Sequence, residues 1–167
     1  MKNFLKILKY AITIVVLCSF QVSLCNYLSI GNIKPNIVFS FVIAISLING
    51  PITGGIIGLI CGFFMDSLSS GTYIINSLTY MYLAVIFGIF NINYLRNNIG
   101  VSIIFTFIGT LIIEITIHFI HFSIWGVSNF VYALINPILL IAVYTTIFSI
   151  PLYYITSKMF DYTKREA

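Results

Sequence analysis

Charge is what this sequence has least of. Of its 167 residues, 7% are Asp, Glu, Lys or Arg, against about a quarter in a typical soluble domain. A chain with so little charge cannot cover a water-facing surface. Cysteine is also sparse. Cys18, Cys25 and Cys61 all fall inside apolar runs, with no CxxC pair and no His at metal-ligand spacing, which speaks against a zinc site. No disulfide is expected, because thiols embedded in lipid behave as small apolar side chains. The common catalytic signatures are missing too: GxSxG, a P-loop, GxGxxG, a Ser-Lys pair and HExxH. The polar segments between apolar runs are too short to hold a soluble catalytic domain. The expectation is a non-enzyme without a cofactor or a metal.

What is there is apolar: 60% of the residues are hydrophobic and mean hydropathy is +1.08. That composition describes an integral membrane protein, a single polytopic domain over 1–167 with no linker rich in Ser, Pro or charge. The net charge of +4 is not a nucleic-acid signal, because most basic residues sit at the two ends, where they read as topology signals. Lys2, Lys6 and Lys9 precede an apolar run from Tyr10. The run lacks an A-x-A cleavage site, so it is read as a retained first helix rather than a signal peptide.

A spanning helix needs about 20 apolar residues. The first run, 5–30, is long enough. Gly31 to Asn36 then forms a turn, with Asn36 a candidate N-cap and Pro35 unable to continue the preceding helix. The stretch 37–65 is apolar throughout but broken by Asn49-Gly50-Pro51, a strong turn signal. Its halves, about 12 to 14 residues each, are short for a crossing. One broken helix, two short spans and a re-entrant pair all remain open. Asp66-Ser67-Leu68-Ser69-Ser70-Gly71 reads as a polar loop. Clearer spans follow at 72–90, 99–122 and 130–157. Trp125, in the connection after the second of these, suits a membrane interface. Pro137 and Pro151 should kink or break the last.

Charge placement sets the count. With the amino terminus cytoplasmic and the 37–65 stretch crossing twice or re-entering, Lys2, Lys6, Lys9, Arg96, Lys158, Lys164 and Arg165 share the cytoplasmic side, leaving Lys34 outside. A single crossing there would move Arg96 and the basic carboxyl terminus outside, against the positive-inside rule. The expected architecture is therefore an all-α membrane protein of six transmembrane segments, approximately 5–30, 37–49, 52–66, 72–90, 99–122 and 130–157. The second and third are short, and both termini are cytoplasmic.

Two constellations stand out. Gly54, Gly58, Gly62 and Asp66 recur every four residues, so they share one slowly drifting stripe of a helix. A stripe without side chains lets another backbone approach closely. Packing within the chain and a partner surface both fit it. Asp66 ends the stripe, where it is expected to cap the next turn or face water. The second constellation is Glu114, His118 and His121, on one face of the fifth segment by their spacing. A carboxylate inside lipid is costly, about 2.5 kcal/mol or more for an acidic side chain on insertion scales, so Glu114 should be protonated or buried against a partner. A structural polar cluster of Asp66, Glu114, His118 and His121, holding the outer half of the bundle together, is the leading expectation. A proton or ion pathway, and a site with two imidazoles and a carboxylate for a metal, rank below it.

The layout resembles a known family. Pro35-Asn36, an apolar run, then Gly50 to Gly62 with Asp66, and Gly71 opening the next helix, resemble the rod shape-determining protein MreD family. That family is marked by a glycine ladder ending in an aspartate, with a glycine shortly after. The specific core of the resemblance is Pro35 to Gly71. Pro35, Gly50, Pro51 and Gly71 are the turn and topology positions within it.

The resemblance implies a non-catalytic inner-membrane component of the cell-elongation machinery. Such a protein associates with an MreC-like bitopic protein. Through it the protein meets MreB, RodA and a class B penicillin-binding protein in peptidoglycan synthesis. It also implies a fold similar to the six-helix substrate-binding S-components of energy-coupling-factor vitamin transporters. These subunits are the competing functional reading. They present small residues at four-residue spacing on the first helix, where this chain has Ala11 and then Val15.

Overall fold

The computed structural model describes residues 2–23, 33–68, 75–91, 99–125 and 137–160. Among them are six helices and no strand: α1 (Lys2–Ser23), α2 (Ile37–Asn49), α3 (Pro51–Leu68), α4 (Ile75–Phe90), α5 (Ile99–Trp125) and α6 (Leu139–Phe160). The chain is an all-α membrane protein. Three helical stretches, Pro51–Leu68, Ile99–Ile120 and Leu139–Met159, are long and apolar enough to cross a bilayer, while the apolar parts of α1, α2 and α4 are shorter.

Several boundaries differ from the sequence expectation. The third segment is not short: α3 has 18 residues, and Asp66, Ser67 and Leu68, expected in a loop, form its last turn. The Ser67 hydroxyl returns to the Phe63 carbonyl at 2.8 Å, and the Asp66 side chain is held by the next helix. Trp125, expected in a connection, ends α5, which runs on through Ser123; the Ser123 hydroxyl bonds to the Phe119 carbonyl at 2.9 Å. The last helix starts at Leu139, just past Pro137, and then continues through Pro151 without a break. Pro151 is exposed. Positions 24–30, 72–74 and 130–136 of the expected spans lie outside the described residues.

Helix α2 is the axis of the bundle. Its residues from Ile37 to Ile48 are all buried, and α1, α3, α4, α5 and α6 all pack against it. Such a helix reads as hydrophobic on every side because it has no solvent face of any kind. Its ends follow local chemistry. The Asn36 side chain accepts from the Phe39 N–H at 3.0 Å, an N-cap. At the other end Gly50 takes φ of 95°, a region other residues rarely adopt. Its N–H bonds to the Ser46 carbonyl at 3.0 Å, and Pro51 then opens α3, where its missing N–H has no helical partner to lose.

The hairpin of α3 and α4 is the most intimate pairing in the fold. Phe87 and Phe105 stack at 4.6 Å between centroids to join α4 to α5. Gly109 on α5 makes room for Phe39 of α2, whose ring tip would lie 2.5 Å from an added Cβ.

Candidate functional site

The glycine stripe of α3 is filled from inside the chain. A Cβ at Gly54 would lie 2.6 Å from the Ser46 Cα on α2. At Gly58 it would meet the Tyr80 carbonyl of α4 at 2.9 Å, and at Gly62 the Asn76 carbonyl at 2.6 Å. These are backbone obstacles, so the helices touch main chain to main chain, the arrangement that small residues permit in lipid. All three glycines are buried. No partner helix can lie on this stripe while α2 and α4 occupy it.

Asp66 completes the same contact. Its Oδ1 accepts from the Asn76 N–H at 3.1 Å and from Asn76 Nδ2 at 2.9 Å. Its Oδ2 accepts from the Ser77 N–H at 2.9 Å and from Ser77 Oγ at 2.8 Å. Asn76 and Ser77 lie in the first turn of α4, where backbone N–H groups have no partner within the helix. A carboxylate there is stabilised by those donors and by the helix dipole. The ladder and its aspartate are thus one clasp: Gly62 admits the start of α4, and Asp66, one turn on, caps it.

A second network, which the sequence reading missed apart from the Asn36 cap, pins the start of α2 to three other helices. Asn36 Nδ2 donates to the Tyr80 hydroxyl at 2.7 Å, and the Asn36 N–H donates to Thr145 Oγ1 of α6 at 3.0 Å. Gln21 of α1 donates to the Pro35 carbonyl at 2.7 Å and accepts from the Ile37 N–H at 2.9 Å. Tyr80 is buried, with its ring 5.2 Å from that of Phe39. The available signal was a set of isolated polar residues, Gln21, Tyr80 and Thr145, in apolar runs. Nothing in their spacing says that they converge.

The opposite end of α2 is pinned as well. Asn49 Nδ2 donates to the Tyr10 hydroxyl at 2.8 Å, and Asn91 Nδ2 to the Leu47 carbonyl at 3.0 Å. The Ser46 hydroxyl donates to the Ala84 carbonyl. Gly88 leaves space for that contact, since a Cβ there would lie 2.5 Å from Ser46 Oγ.

The remaining polar residues are placed as follows. His118 Nδ1 lies 3.0 Å from the Glu114 carbonyl oxygen one turn earlier. A carbonyl only accepts, so the nitrogen carries the proton. Asp66 and Glu114 both lie within electrostatic reach of Tyr80. The hydrogen bonds of Asp66 all run to α4, and among the described residues none joins it to His118 or Glu114. The His121 side chain and Gly71 lie outside what the structure describes. Among the described residues, no three His, Cys, Asp or Glu side chains gather as a metal site would require. Cys18 and Cys61 are buried free thiols.

Comparison of the chain with family models, with curated proteins and with solved structures finds no match.

Proposed function

We propose that the chain is a non-catalytic component of the bacterial cell-shape machinery, an MreD-like protein of the inner membrane with both termini cytoplasmic. In this reading it scaffolds an MreC-like bitopic protein and, through it, the peptidoglycan-synthesising complex. The observation that supports it is the clasp. The residues that carry the resemblance, the ladder Gly54, Gly58, Gly62 and its terminal Asp66, form one device that locks α3 onto α2 and α4. A motif of that kind builds a rigid platform and supplies no reactive group. Because the stripe faces inward, the partner helix is assigned to the opposite face of α3, where Ile52, Ile56, Leu59 and Phe63 are exposed.

The test is depletion of the protein followed by microscopy, with co-purification of the bitopic partner. Rounded or swollen cells and loss of the partner's recovery on Leu59→Trp are the expected results. Normal shape combined with vitamin auxotrophy, or tight binding of a vitamin to the purified protein, would instead favour the transporter S-component.

A further inference from the structure

Helices α1 and α3 leave between them an apolar groove of about 360 Å³, walled by Tyr10 and Ala11 on one side and by Thr53, Ile56, Ile60 and Phe64 on the other. Its size falls in the range of ligand sites, roughly 300 to 1,000 Å³. Three observations say what occupies it. First, apart from Ala11 its lining is branched or aromatic, with no glycine. A helix backbone needs small residues to approach closely in lipid, whereas a flexible hydrocarbon chain threads between large ones.

Second, the groove has the length of an acyl chain. From Thr53 to Phe64 it follows α3 for about 16 Å at 1.5 Å per residue, close to half of the roughly 30 Å hydrocarbon core and so to the depth of one leaflet. Third, the two hydroxyl-bearing residues of its lining, Tyr10 and Thr53, lie at its mouth, at the basic end of the bundle. Tyr10 and Thr53 stand beside the Asn49 turn, with Lys9 exposed next to Tyr10 and Lys6 and Lys2 one and two turns earlier on α1. The Tyr10 hydroxyl is held by Asn49. Thr53 lies in the first turn of α3, where its hydroxyl has no carbonyl of its own helix four residues back to bond. Of these lysines, Lys9 does not line the groove. Their charge acts on a phosphate at the mouth through the surface potential, which extends about 8 Å at physiological salt.

We propose that this groove holds one acyl chain of an anionic phospholipid from the leaflet that the amino-terminal lysines face, with the headgroup phosphate at the level of Lys9 and the Thr53 hydroxyl directed to the ester region. The site does not depend on the cell-shape reading, and it shares only Ile56 with the face of α3 given to the partner helix.

Native mass spectrometry of the purified full chain tests it, with phosphatidylglycerol and phosphatidylcholine of identical acyl chains as probes. One phosphatidylglycerol is retained per chain, favoured over phosphatidylcholine by about fivefold for each lysine that contributes. That preference falls in Lys6→Gln/Lys9→Gln. Ala11→Phe fills the groove and lowers retention of both lipids at least tenfold in protein that remains monodisperse. Phe64→Ala removes a wall on an exposed face, where folding tolerates it, and lowers retention severalfold. Equal retention of the two lipids by the unmodified chain overturns the proposal. So does retention unchanged in Phe64→Ala, and so does a co-purifying protein displaced by Ala11→Phe.

Discussion

Helices α1 and α2 are both apolar, yet one is a strap on the bundle and the other is its axis. Among the described side chains of α1 only Ile14 and Cys18 are buried, while Ile12, Val15, Val16 and Phe20 are exposed. On α2 every residue from Ile37 to Ile48 is buried. Hydrophobicity does not produce this difference, because lipid tails are as apolar as the side chains and give helices no reason to associate. What distinguishes them is packing and polar pinning. Helix α2 receives glycines from α3, α4 and α5, hydrogen bonds at both ends, and a cap. Among its described side chains, α1 buries one narrow line and is tied by Gln21 near its carboxyl end and by Tyr10 near its middle.

The contrast can be broken by substitution, and the largest effect is expected where backbone meets backbone. Gly58→Leu or Gly62→Leu must displace the main chain of α4. Overpacking of this kind costs about 1 to 3 kcal/mol, and more where nothing can yield. Titration with sodium dodecyl sulfate should show either variant unfolding well before the parent. Next is Asp66→Ala, which leaves the Asn76 and Ser77 N–H groups without their acceptor. Unsatisfied buried donors cost about 1 to 3 kcal/mol, and Asp66→Asn should recover part of the loss in the same titration because it keeps one acceptor oxygen.

Asn36→Ala removes the α2 cap and the bond to Tyr80 together. A lost cap costs about 1 kcal/mol, and the same assay should place this variant between Asp66→Ala and the parent. The smallest effect is expected on the strap. Tyr10→Phe removes one interhelical bond, and such bonds average about 0.6 kcal/mol in a membrane protein. Global unfolding should barely move, while proteolysis or hydrogen exchange confined to α1 should increase. An equal loss of stability for Tyr10→Phe and Asn36→Ala would erase the distinction between strap and axis.

The turn chemistry was legible because it is local. Asn36 caps α2 and Asn49-Gly50-Pro51 ends it, as their side chains and allowed dihedrals require. The four-residue spacing of Gly54, Gly58, Gly62 and Asp66 placed them on one stripe, since helical periodicity needs no neighbour to be read. The end of α3 was not legible. Asp66-Ser67 resembles a loop in sequence, and only the donors of Asn76 and Ser77, brought alongside on α4, show why the helix runs past it. Gly88 and Gly109 carried no pattern of their own, and their role is set by Ser46 and Phe39 on another helix.

By itself, then, the sequence determined that this chain lives in lipid, that it is helical, and where the turn at Gly50 falls. Composition, 3.6-residue periodicity and backbone stereochemistry act within a few residues of chain. The tertiary structure decided which helix lies at the centre, that the glycine stripe faces inward, and that Asp66 bonds to α4 and not to His118. Those outcomes depend on which backbones approach within contact distance and which orphan N–H groups need an acceptor. Only the assembled bundle contains that information.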